Sequence, residues 1–197
     1  MREIGLFVED GGHEEFCDAL ISRLARQYGI EVHIQPKNVR GGHGKVLREL
    51  KQYIRDLQRS GTPLLDLVVI AIDSNCQKLL QRTQEIDKII PEQFRYMAAY
   101  AIPDPHVERW MLIDAAAFKQ VFGKGCQAPD QKCDKDRYKR LLMEAICSAD
   151  PSLQPSFGGM EYAEDIVNVI DFDRIHDKSL HLIIQDLTRI FKQWSRQ

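Results

Sequence analysis

Four carboxylates surround a glycine pair near the start of the chain, in IGLFVEDGGHEEF at residues 4–16: Glu9, Asp10, Glu14 and Glu15. Far along the sequence, Asp73 ends the hydrophobic run LDLVVIAID at 65–73, with Ser74 and Asn75 next. Glu108 stands a few residues beyond Pro103 and Asp104, one turn into a helical stretch. Carboxylates brought together repel, and they stay ionised together when a cation neutralises them. Oxygen-only ligation of this kind suits Mg²⁺ or Mn²⁺. Such ions orient water and stabilise in-line displacement at phosphorus. The residue types thus point to metal-assisted phosphoryl chemistry on Glu9, Asp73 and Glu108. A purely local reading stands beside it. Glu14 and Glu15 open a helix, where the dipole favours negative charge anyway, and loops after strands are often acidic.

For these acids to meet, the elements must carry them to one edge. Residues 3–9 read as a buried strand, and 14–28 as a helix with Phe16, Leu20 and Leu24 on one stripe, stopped by Gly29. The glycines at 11 and 12 suggest a tight turn between the two. IEVHIQP at 30–36 alternates as an edge strand does. A loop at 40–45 and a helix at 45–59 lead to 65–73, short, β-branched and apolar throughout, as a central parallel strand is. A helix at 75–90, a strand at 95–103 and a helix at 105–122, with Pro105 in its first turn, continue the alternation. Helices at 135–148, 159–169 and 178–195 follow a polar loop at 123–135. The pattern is α/β: a mainly parallel, Rossmann-like sheet flanked by helices, with a core over 1–122 and a helical C-terminal extension over 123–197 packed on it. Function in such sheets collects at the carboxyl ends of the strands, where Glu9 and Asp73 both lie.

The combination VED-GGHEEF, then a hydrophobic strand ending in IDSN, resembles a Toprim domain, the catalytic fold of topoisomerases, primases and OLD-family nucleases. PDPHVERWMLID at 103–114 is similar to the Glu-x-Trp-Leu helix of small bacterial Toprim-like proteins that accompany ATPases in defence loci. The resemblance spans residues 3–122. It implies a nuclease cutting DNA or RNA, acting in antiviral defence with an ATPase partner. Glu9 would then be a metal ligand or general acid/base, and Asp73 the first acid of an Asp-x-Asp pair. Asn75 stands where the second acid belongs, which removes one anionic ligand. Glu108, or less directly Asp114, is the carboxylate available to replace it. A non-catalytic module that binds nucleic acid or a partner protein is the reading that Asn75 favours, and a phosphotransfer enzyme on a small substrate is another.

Other groups have weaker signals. RGGHGK at 40–45 lacks the spacing of a phosphate-binding loop, since Val46 follows Lys45. Arg40, His43 and Lys45 could still meet a nucleic-acid phosphate. His13 sits beside the acidic edge, where it could assist proton transfer, touch phosphate, or be structural or simply solvated, and His106 marks a helix start near the same acids. Trp110 and Met111 read as core. The helix at 135–144 carries Lys135, Arg137, Lys139 and Arg140 around Tyr138, a basic groove or a solvated face.

The 197 residues suffice for a core without staples. A formal charge of -2 excludes a globally basic nucleic-acid binder, although 27 Lys and Arg leave room for a local groove. The cysteines at 17, 76, 126, 133 and 147 are odd in number and show neither a disulfide framework nor zinc spacing. Cys17 and Cys147 read as core. The N-terminus shows no apolar leader, and no run is long enough to span a bilayer, so a reducing cytoplasm is expected. The strand at 30–36 offers an edge through which copies of the chain could pair as a homo-oligomer.

Overall fold

The computed structural model of the chain describes residues 1–59, 65–134 and 136–197. Strand β1 (Arg2–Val8) enters helix α1 (Gly11–Gln27), and β2 (Val32–Asn38) enters α2 (His43–Arg59). Strand β3 (Leu67–Ala71) leads to α3 (Leu79–Asp87), and β4 (Ala98–Ala101) follows a 3₁₀ turn at Glu92–Met97. Beyond it come α4 (Val107–Trp110), α5 (Ala115–Phe122), α6 (Arg137–Ala149), α7 (Ala163–Val169) and α8 (Lys178–Trp194). The four strands lie in the order β2-β1-β3-β4, with each neighbouring pair parallel. The α/β, Rossmann-like sheet flanked by helices is therefore present, and β2 is at its edge, where Pro36 removes no ladder bond from a central strand.

Period-two alternation feeds two cores. Ile4, Leu6, Val8, Leu67, Val69 and Ala71 face α1 and the C-terminal helices, in one cluster with Phe16, Leu20, Trp110, Ile146 and Leu187. Phe7, Val68, Ile70 and Ile72 face α2 and α3, with Val46, Leu50, Ile54 and Ile86. The C-terminal helices thus cover one sheet face, and α8 packs on β4 and α1. Among the described residues no helix is long and apolar enough to cross a membrane.

Several local expectations change. The stretch 105–122 is two helices, because the Asp114 carboxylate accepts the amides of Ala116 and Ala117 and starts α5 afresh. The glycines at 11 and 12 form no turn; they are the first residues of α1, and Asp10 is its N-cap. Cys147 is exposed rather than core, whereas Cys17 is buried. Cys76 and Cys133 form a disulfide, their Cα atoms 5.3 Å apart, against the expectation of free thiols. The irregular spacing concealed the pair because 57 residues separate them and only the fold brings them together. Such a bond persists in oxidising compartments and is reduced in the cytoplasm, so the compartment decides whether the two are joined. Lys135, counted with the basic helix, lies outside the described residues.

Candidate metal centre at the carboxyl edge

Strands β1 and β3 are neighbours in register, with Val8 opposite Ala71. The residues that leave them are therefore side by side. The Glu9 amide extends the ladder to the Ala71 carbonyl (3.0 Å), and the Asp73 amide donates to Glu9 Oε2 (3.1 Å). Glu9 and Asp73 thus meet, as the end-of-strand argument expects. Histidine joins them. His13 Nε2 lies 2.9 Å from Asp73 Oδ1, and its Nδ1 lies 2.8 Å from Asp10 Oδ1. On the other oxygen, His106 Nδ1 lies 2.7 Å from Asp73 Oδ2. One ligand atom each from Glu9, His13 and Asp73 lie within 4.8 Å of one another, a group able to hold a metal ion.

The helix explains His13. Asp10 caps α1 by accepting the His13 amide (3.1 Å), and one turn of helix returns the imidazole over the same carboxylate. The side chain is fully buried, so of its alternatives solvation is excluded, while a structural place and a part in the chemistry both stand. Burial opposes its charge, but Asp73 and Asp10 outweigh it and raise its pKa well above the usual histidine value. Asp73 is buried as well, and the two histidines overcome that burial to keep it below the ordinary carboxylate range. Asp10, against its own partial burial, is held down to about 2 by His13. His106 is raised by its bond to Asp73.

Glu108 stands apart from the Glu9–His13–Asp73 group, although burial and the Asp73 charge both raise its pKa. It stands two residues beyond His106, which is the residue that reaches Asp73. Asn75 takes a left-handed conformation, φ 49°, as does Cys76, φ 67°, and its amide donates to the Pro105 carbonyl (3.3 Å). Asn tolerates that conformation, so residue 75 serves the reversal from β3 into α3. Glu14 bonds Asn38 at the end of β2, and Glu15 is exposed in the first turn of α1; neither joins the centre.

Arg82 organises the loop behind the acids. It is fully buried, and its guanidinium donates to the carbonyls of Asp73 and Ser74 (both 3.0 Å) and to Glu85 Oε2 (2.6 Å). Its Nη1 also lies against the His43 ring (2.6 Å to Nε2). His43 is thereby committed to the Arg82–Glu85 group, and burial and the arginine lower its pKa. Of the basic trio after β2, Arg40 and Lys45 remain exposed, Lys45 donating to the Arg40 carbonyl (2.8 Å). On α6, Arg137 pairs with Asp130 and Tyr138 is buried, which leaves Lys139 and Arg140 outward. Asp10 and Arg82 were not singled out from the sequence. Asp10 had the Asp-x-x-His cap spacing as a signal; Arg82 had only its three-residue offset from Glu85.

No protein-family model matches the chain, nor does any curated protein or solved structure.

Proposed function

We propose that the protein is a divalent-metal-dependent phosphodiesterase acting on DNA or RNA, with Glu9, Asp73 and His13 holding the ion. The observation that carries this reading is the convergence of those three ligand atoms within 4.8 Å at the carboxyl ends of two adjacent parallel strands. Glu9, Asp10 and Asp73 bring three negative charges; with His13 neutral as a ligand and His106 the one cation beside them, a dication completes the charge balance. Because the set contains an imidazole nitrogen, Mn²⁺ fits better than Mg²⁺, the ion that oxygen ligands alone suggested. Asp10, bonded to His13 Nδ1, orients the ring toward the centre in the manner usual for metal-ligating histidines.

A divalent ion supplies Lewis-acid stabilisation of the charge that develops on a phosphoryl oxygen. The chain supplies the rest. Asp73 fixes His106 through Nδ1, so that Nε2 is the nitrogen left to pass a proton to the leaving oxygen. Arg40 and Lys45, exposed beyond β2, contact backbone phosphates. An ATPase partner and a role in antiviral defence follow from the Toprim resemblance alone.

Purified protein incubated with plasmid, linear and single-stranded substrates should cut in Mn²⁺, more weakly in Mg²⁺, and not in EDTA. Cleavage that survives in both Glu9→Gln and Asp73→Asn would exclude this centre. A second reading is a non-catalytic nucleic-acid or protein-binding module. It is favoured by Asn75, and by the way both Asp73 oxygens are already engaged by histidines. Metal and nucleic-acid binding without any cleavage would select it.

A further inference from the structure

We propose that Phe157 is a stacking platform for the nucleobase beside the scissile phosphate; the inference rests on the nucleic-acid reading above. Phe157 is 45% exposed, yet it is not a loose side chain. Its loop is pinned by the Glu161 carboxylate, which accepts the amides of Ser156 (2.6 Å), Phe157 (3.1 Å) and Gly159 (2.9 Å). Gly158 and Gly159 turn the chain through the left-handed region, φ 68° and 91°. Met160 then lies over Gly12, so the loop is anchored on the first turn of α1.

The ring rests against Gly11. A Cβ at that position would stand 2.7 Å from Phe157 Cζ. Gly11 is the residue after the cap Asp10 and two before His13, so the ring lies on the first turn of the helix that carries His13. A glycine there leaves room for the aromatic ring against the helix. On the far side, the aliphatic stem of Lys139 crosses Gly158, where an added Cβ would stand 2.7 Å from Lys139 Cε.

Surrounding chemistry selects the ligand. The flanking Gln154 and Ser156 are polar and exposed. A protein partner prefers clustered anchors in a desolvated pocket. One π-face with a nearby cation is what a nucleobase stacks on, whatever its identity.

The test uses the full chain in Mn²⁺ with a labelled single-stranded oligonucleotide, and with copies carrying one abasic position moved along the strand. Binding is read by anisotropy, and cleavage as KM and kcat. Phe157→Ala should weaken binding and raise KM about tenfold, with kcat little changed. The loss should vanish on the strand that lacks the base next to the cut. Phe157→Trp should retain wild-type affinity. Gly11→Ala, whose Cβ would push the ring aside, should reproduce the Phe157→Ala effect. Equal losses on intact and abasic strands would overturn the proposal, since the ring would then be structural. Wild-type cleavage unaffected by Phe157→Ala would overturn it and leave the nuclease reading standing. Binding without cleavage, still sensitive to Phe157 and to the base, would support the platform while refuting the nuclease. A wild-type chain that neither binds nor cuts would remove both.

Discussion

At the scale of single residues, Asp73 is the hinge of the centre, since each of its oxygens faces a different histidine and its amide holds Glu9. Removing a charge so placed should cost far more than removing a surface acid. Glu9→Gln and Asp73→Asn are each expected to lower kcat by about a hundredfold or more, the scale seen when one electrostatic stabiliser of a transition state is lost. Asp10 has a subtler part. Asp10→Asn keeps a good cap for α1 but removes the negative charge behind His13. Mn²⁺ affinity measured by titration calorimetry should fall about 10–100-fold, as for other partners of ligating histidines. An unchanged affinity would mean that His13 is a buried counter-ion of Asp73 and not a ligand.

At the scale of elements, two positions show how the sheet and its helices hold the centre. Gly5 sits mid-β1 under α2, and a Cβ there would collide with the Tyr53 hydroxyl and stand 2.6 Å from Leu65 Cδ1. Gly5→Ala should destabilise the protein by about 1–3 kcal/mol, the usual cost of overpacking, despite the better strand entropy of alanine. A urea midpoint equal to wild type would show that Tyr53 moves aside freely. Arg82 ties α3 to the loop after β3 through the carbonyls of Asp73 and Ser74. Arg82→Leu strands the Asp73 carbonyl and leaves Glu85 with His43 alone, while the Ser74 carbonyl still accepts the Gln77 amide, and about 1–3 kcal/mol of stability should go with it. Loss of metal binding at temperatures where the variant is still folded would show that the arginine also sets the position of Asp73.

At the scale of the whole molecule, a largely buried ion pair links the C-terminal helix α8 to α4, beside the centre. Asp177 caps α8 by accepting the Leu180 amide (2.9 Å) and pairs with Arg109, one residue from Glu108. Its partial burial opposes ionisation, but the Ser179 hydroxyl, the Leu180 amide and Arg109 hold its pKa below the ordinary value of 3.8. The folded-state pKa is depressed, so its contribution to stability is complete above pH 3.8 and is lost as the pH falls through the lower folded value. Wild-type denaturation midpoints should therefore decline in acid more steeply than those of Asp177→Asn. Parallel curves would place the acid sensitivity elsewhere.

The chain's own order of residues determined the α/β class, the parallel sheet and the meeting of Glu9 with Asp73. A buried β1 and a wholly apolar β3 leave few other pairings, and parallel strands bring their carboxyl ends together. It also settled Trp110 as core, where Nε1 finds the Ser179 hydroxyl (2.9 Å). Tertiary structure alone decided which side chains complete the centre. His13 and His106 are equally plausible as solvated histidines until α1 and α4 aim them at one carboxylate from opposite sides. Glu108 is an obvious ligand in sequence, but it falls outside the three-residue group. Arg82, Phe157 and the Cys76–Cys133 pair act across gaps in sequence that no periodicity spans. Periodicity reports which face of an element is buried; the distance between two faces is set by packing, and packing is where this site was made.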